Sequence, residues 1–229
     1  MIVLLHSVTP RDGGLTVKKN DLNVLAIGAH FDDIELGCGG TLAKHIKNGD
    51  KVIGLIVTHS KYTDYNGKLM RARETALREG KKAARIIGYE MLCLNRETKQ
   101  VKFEFDLIEE INRIIDSNKI DLIYTHWDSD VHQDHQAIGR ATMNAGRKIQ
   151  RIFMYQSNLY MNTKLFNANY FVDISKFIEI KMKAIRAHEA EIKKFGEDWL
   201  QFWFNETKNN GQRVGVAHAE AFQLVRYLA

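Results

Sequence analysis

The run Ala29-His30-Phe31-Asp32-Asp33-Ile34-Glu35 puts a histidine and two adjacent carboxylates just past an apolar stretch, Asn23-Val24-Leu25-Ala26-Ile27-Gly28. A second set, His126-Trp127-Asp128-Ser129-Asp130-Val131-His132-Gln133-Asp134-His135, follows another, Ile120-Asp121-Leu122-Ile123-Tyr124. Imidazole and carboxylate are the usual ligands of a catalytic zinc, which takes three protein groups and leaves a fourth position open. His30 and Asp33, three apart on a tight strand-to-helix turn, can reach one ion, and His135 or His132 completes the set. Ligands of this hardness also accept iron(II), manganese or cobalt. Asp32, beside a ligand, is placed to take a proton from an attacking water. The imidazole left over in the second set can donate to the oxyanion formed when water attacks a carbonyl. Asp134 can then hold that imidazole in the required tautomer.

Each of these residues has an ordinary explanation as well. An aspartate at a strand end commonly caps a helix, and Asp32 or Asp33 can cap the one beginning near Cys38, as Asp134 can cap the next. Clustering of such groups in both loops favours a metal site instead. His45 and His188 fall in helical stretches and read as structural, while His59, after the second strand, reads either way. Gly37-Cys38-Gly39-Gly40 has neither G-x-G-x-x-G nor a G-K-[ST] ending and follows acidic residues that repel phosphate, so it is not read as a nucleotide loop.

The elements that must carry these groups alternate. Strands are expected at about 23–29, 51–58, 89–94, 120–125 and 151–155, with helices at about 38–48, 68–88, 104–118, 134–147 and 175–195. Leu107, Ile108, Ile111, Ile114 and Ile115 form one apolar stripe opposite Glu109, Glu110, Asn112 and Arg113, as an amphipathic helix requires. Such alternation implies an α/β fold: a single Rossmann-like domain with a mostly parallel sheet and helices on both faces. Ligands of these sheets sit beyond the carboxyl ends of the strands, where both clusters lie. Residues 1–22 read as an irregular lead-in and 23–229 as the one domain. A further strand is expected within 167–173, and Trp199, Phe202, Trp203 and Phe204 can be core, an oligomer contact or the roof of a pocket.

Bulk properties set the outer limits. The chain has 229 residues, 45% hydrophobic and 27% charged, as an ordinary globular domain does. Its net charge of +5 is spread over short pairs such as Lys18-Lys19 and Lys193-Lys194, which argues for a solvated surface and against nucleic acid. Two cysteines, Cys38 and Cys93, make neither a disulfide framework nor a zinc finger, so a reducing, cytoplasmic setting is expected. No apolar run approaches the roughly 20 residues of a membrane span.

The two motifs together resemble a known family. Ala29-His30-Phe31-Asp32-Asp33-Ile34-Glu35 is similar to the A-H-P-D-D-x-E signature of the PIG-L/LmbE-like zinc-dependent N-acetylglucosaminyl deacetylases, and Asp130-Val131-His132-Gln133-Asp134-His135 to their D-x-H-P-D-H. The similarity extends through Gly37–Leu42, Arg73-Glu74, Ala83–Gly88, Val172–Ser175 and Ala219–Phe222, covering roughly residues 23–225. It implies one Zn2+ per chain held by His30, Asp33 and His135, with Asp32 as general base, His132 at the oxyanion and Asp134 supporting it. Glu35, Arg73 and His218 are its candidate substrate-binding residues, His218 standing where several relatives have a tyrosine. The implied partner is a small-molecule N-acetylated amino sugar, with a homo-oligomer possible. Phe31 and Gln133 replace the family's usual prolines. Rival readings are hydrolysis of another amide or ester, and a degenerate family member that only binds sugar.

Overall fold

Successive residues of the first strand enter different cores: Val24 and Ala26 pack on one face of the sheet, Leu25 and Ile27 on the other. A strand buried on both sides needs helices on both, and the computed structural model, which describes residues 22–228, supplies them. The order is β1 (Asn23–Gly28), α1 (Asp33–Asn48), β2 (Lys51–Thr58), β3 (Tyr62–Thr63), β4 (Leu69–Arg71), α2 (Arg73–Ile87), β5 (Glu90–Arg96), α3 (Phe105–Ser117), β6 (Leu122–His126) and α4 (Gln133–Ala145). The chain continues with β7 (Arg151–Tyr155), β8 (Tyr170–Asp173), α5 (Ile178–Ile185), α6 (Glu189–Phe195), α7 (Glu197–Val214) and β9 (Ala219–Tyr227).

Seven strands form one sheet in the order β5-β2-β1-β6-β7-β9-β8, and β3 and β4 make a separate hairpin. The first five strands of that order are parallel, whereas β9 runs antiparallel to both β7 and β8. The chain leaves β1 for β2 on one side and returns through β6 on the other, so the crevice between β1 and β6 is the topological switch point. Both His/Asp loops open there. The fold is the α/β architecture expected from the alternation, and among the described residues no helix is long and apolar enough to cross a membrane.

Several boundaries differ from the sequence reading, each for a packing reason. Helix α1 begins at Asp33 rather than near Cys38, because its glycines are contact points. A Cβ on Gly37 would lie 2.1 Å from the Tyr155 ring, so the bare helix surface lets α1 lie close over the sheet. The stretch expected to be helical from about 68 first makes β4, and the one expected over about 175–195 breaks between α5 and α6. The strand expected within 167–173 is β8. Strand β9 ties the carboxyl-terminal part to α1: Glu220 accepts the Gly40 and Thr41 N–H groups and pairs with buried Lys181, which also donates to the Glu35 and Leu36 carbonyls. The lead-in expected at 1–22 lies, apart from Leu22, outside the described residues.

Candidate metal centre

His30, Asp33 and His135 come together. His30 Nδ1 is 3.3 Å from His135 Nε2 and 3.4 Å from Asp33 Oδ2, and His135 Nε2 is 3.4 Å from Asp33 Oδ1. A tetrahedral zinc site, with bonds of about 2.0–2.1 Å to nitrogen and oxygen, spaces its donors about 3.3 Å apart. The three groups therefore fit a divalent ion without rearrangement, and the second loop offers His135 rather than His132 to this set. His30, His132 and Asp134 form an overlapping set, but the Asp134 carboxylate already accepts the Lys99 N–H at 2.7 Å, the Val101 N–H at 3.1 Å and His30 Nε2–H at 3.0 Å. That leaves His30 Nδ1 facing Asp33 and His135, the arrangement in which a carboxylate orients a metal-binding imidazole.

The electrostatics favour a cation. Burial works against charge on His30, yet hydrogen bonds to the Asp134 and Asp33 carboxylates outweigh it and push the ring up to about 10. Burial likewise opposes ionisation of Asp33, but His135 and His126 hold its carboxyl well below the usual carboxylate range. A site that so strongly retains a proton between carboxylates is one where a metal ion can replace that proton. Asp33 is fixed further: its Oδ2 accepts the His30 N–H at 2.7 Å and its Oδ1 accepts the Ser157 hydroxyl at 2.9 Å. His135 Nδ1 has no hydrogen-bond partner among the described residues and lies 3.4 Å from Asp130 Oδ1.

Two side chains face the cavity beside this cluster. Asp32 occupies the N-cap position of α1 but makes no side-chain cap bond, so capping does not explain it. Burial and the neighbouring Asp33 charge push its carboxyl up to about 7. His132 caps α4 by accepting the Asp134 N–H on Nδ1 at 3.2 Å, which makes Nε2 the protonated nitrogen. Burial, with the His30 charge, drives its pKa down to about 4, so the ring is a neutral donor near pH 7. Here the sequence reading needs correction: the backbone N–H of Asp134 sets the tautomer of His132, and the Asp134 carboxylate serves His30.

The cavity, of about 300 Å³, is walled by Tyr62, Arg71, Trp199 and Trp203. Trp199 and Trp203 also pack with Leu36, Ile185 and Leu200, so the aromatic segment is core and pocket wall at once. A neighbouring cavity of about 320 Å³ shares Leu36, Asn158, Leu159, Tyr160 and Trp203 with it but contains none of the His/Asp cluster.

Three expected substrate contacts lie elsewhere. Glu35 is 1% exposed, accepts the Tyr89 hydroxyl at 2.6 Å and faces His188 Nε2 at 3.2 Å, because it sits on the inner side of a helix that starts earlier than expected. Arg73 is exposed and donates to Asn95 Oδ1. His218 bonds Thr207 and packs on Phe204, away from the cavity. His59 lines a different hollow with Lys61 and Arg73.

Residues the sequence reading passed over fill the gaps. Arg71 donates to the Phe31 carbonyl at 3.0 Å and pairs with Glu79 and Glu191. Its only signal was a position two residues before the arginine that was chosen. His126, the last residue of β6, accepts the Ala29 N–H on Nε2 at 2.9 Å and joins the two loops. The Lys99 and Val101 amides that fix Asp134 have no side-chain signature at all.

Sheet order and site together define a Rossmann-like α/β protein with His and Asp groups spaced as metal ligands are at its switch point. Comparison with known proteins narrows this class: the model of the PIG-L family, described as GlcNAc-PI de-N-acetylase, matches residues 25–146, and the chain belongs to that family. It is an N-deacetylase of that family. The chain is 31% identical over 176 residues to the uncharacterized deacetylase YaiS of Escherichia coli, covering 73% of this chain and 90% of that one. It is 29% identical over 237 residues to the diacetylchitobiose deacetylase of Thermococcus kodakarensis, covering 90% and 84%. Its fold is similar to that of the N,N'-diacetylchitobiose deacetylase of Pyrococcus horikoshii, with a TM-score of 0.78, 23% identity and coverage of 90% and 85%.

Proposed function

We propose that the protein hydrolyses the acetamide of an N-acetylated amino sugar, with one Zn2+ per chain held by His30, Asp33 and His135. The convergence of His30 Nδ1, Asp33 and His135 Nε2 within 3.4 Å of one another, on a cavity that an uncapped Asp32 also faces, carries this reading. When bound there, zinc supplies Lewis acidity to the acetyl carbonyl and makes water a better nucleophile at neutral pH. Asp32 takes the proton from the attacking water and returns it to the leaving amine, splitting the amide into acetate and a free amino group. Neutral His132 donates its Nε2–H to the oxyanion. Asp134 keeps His30 turned toward Asp33. Relatives named for deacetylation of diacetylchitobiose support the sugar as substrate class.

The test is acetate release from a panel of N-acetylglucosamine derivatives, free, phosphorylated, nucleotide-linked and glycosidic, with zinc added and then chelated. Zinc-dependent acetate from at least one class is expected. A zinc-loaded protein that releases none of it refutes the assignment.

A further inference from the structure

Asp32 has a backbone φ of 137°, a region that side-chain-bearing residues rarely adopt. Such a conformation persists only where the neighbours enforce it. Here the preceding residue is gripped at three points. The Phe31 N–H donates to Ser60 Oγ at 2.9 Å, and the Phe31 carbonyl accepts from Arg71 Nη1 at 3.0 Å. The Phe31 ring is 2% exposed and rests on the bare backbone of Gly80 in α2, where a Cβ would come within 2.2 Å of ring Cδ1. Proline, the residue the family's motif carries at this place, has a fixed φ but no N–H to give Ser60.

We propose that Phe31, seated on Gly80, is the positioning residue for Asp32 in this chain: side-chain packing does here what a proline ring does by covalent constraint. The ring, its N–H and its carbonyl fix the peptide plane that precedes Asp32, and so fix where the Asp32 carboxylate enters the cavity. This inference rests on Asp32 being the general base.

The experiment compares Gly80→Ala, Phe31→Leu and the double variant with the wild-type zinc-loaded protein, alongside Asp32→Asn. Zinc content, melting temperature, kcat and KM are measured well below the melting temperature. Gly80→Ala pushes the ring off its seat and is expected to lower kcat by about 10²-fold, the scale of an ångström-sized misplacement, with KM and zinc content unchanged. In the double variant the smaller leucine side chain leaves room for the new methyl, and kcat recovers above that of Gly80→Ala alone. Non-additivity of this kind marks direct contact rather than two independent injuries. A folded, zinc-loaded Gly80→Ala with wild-type kcat overturns the proposal. Should Gly80→Ala fail to fold, Phe31→Leu decides: a lower kcat at unchanged zinc content supports it, and an unchanged kcat overturns it. Full turnover by Asp32→Asn sinks the assignment of Asp32 itself, which is a separate failure.

Discussion

The loop after β1 and the loop after β6 meet over one cluster, yet they are built in opposite ways. The first is short, strained at Asp32 and clamped from outside by Ser60, Arg71 and the Gly80 surface. It supplies Asp32, Asp33 and the His30 imidazole, which carboxylates of both loops, Asp134 and Asp33, push up to about 10. The second places its groups through its own helix start, His132 capping α4 and His126 ending β6. It supplies imidazoles kept neutral by burial, His126 and His132 both pushed down to about 4. A metal-dependent hydrolase needs both kinds of group, negative charge for the ion and its base, and an uncharged donor for the oxyanion. The division is bridged at one point, where the Asp134 carboxylate of the second loop accepts from His30 of the first.

Substitutions in each loop should break this division differently, and the largest effect belongs to the ligands. Asp33→Ala is expected to bind no zinc and show no turnover, measured by metal analysis after gel filtration; chelation of the wild type should give the same loss, reversed by zinc. Asp32→Asn should keep its zinc while kcat falls by about 10²–10⁴-fold. A variant that loses both would mean that Asp32 is itself a ligand. From the second loop, His132→Ala is expected to retain zinc and lose about 10²–10³-fold in kcat, the size of one lost oxyanion donor. Asp134→Asn tests the cross-connection between the loops: zinc binding should weaken about 10–100-fold through His30, read by competition with a chromophoric chelator. Unaltered affinity would return Asp134 to the supporting role first read for it beside His132. At the small end, Arg73→Ala should leave kcat/KM within about twofold, as for an exposed residue away from the site. A larger drop would restore Arg73 as a substrate contact.

The two loops also differ in how far they could be read from sequence. The α/β alternation and the positions of His30, Asp33 and His135 after apolar strands were legible, because each strand and its following loop are contiguous in the chain. What failed depended on partners far away in sequence. Asp134 was assigned to His132, two residues off, but its carboxylate reaches His30 at a separation of 104. Glu35 was taken for a substrate-binding residue from the motif, with the helix that carries Gly37, Gly39 and Gly40 expected to begin only near Cys38. Those glycines instead accommodate Tyr155, Ile87 and Ile174 against a continuous helix, which turns Glu35 inward. Arg71 was not singled out because only the hairpin of β3 and β4, too short to carry a pattern, directs it beneath the loop.

Lys181 and Glu220 hold α1 from the far end of the chain, and Ser157 reaches back to Asp33. All the proposed ligands, the base and the oxyanion donor lie between His30 and His135, so a fragment ending at residue 146 would contain every one of them. It would lack Glu220, which accepts the Gly40 and Thr41 N–H groups of α1, and Ser157, which donates to Asp33. The reactive residues are thus close together in the chain, whereas part of their support comes from segments that follow them. Such a fragment keeps Ile34, Cys38 and Leu42 of α1 against β1, β2 and α2, yet leaves the Asp33 carboxylate without the Ser157 hydroxyl.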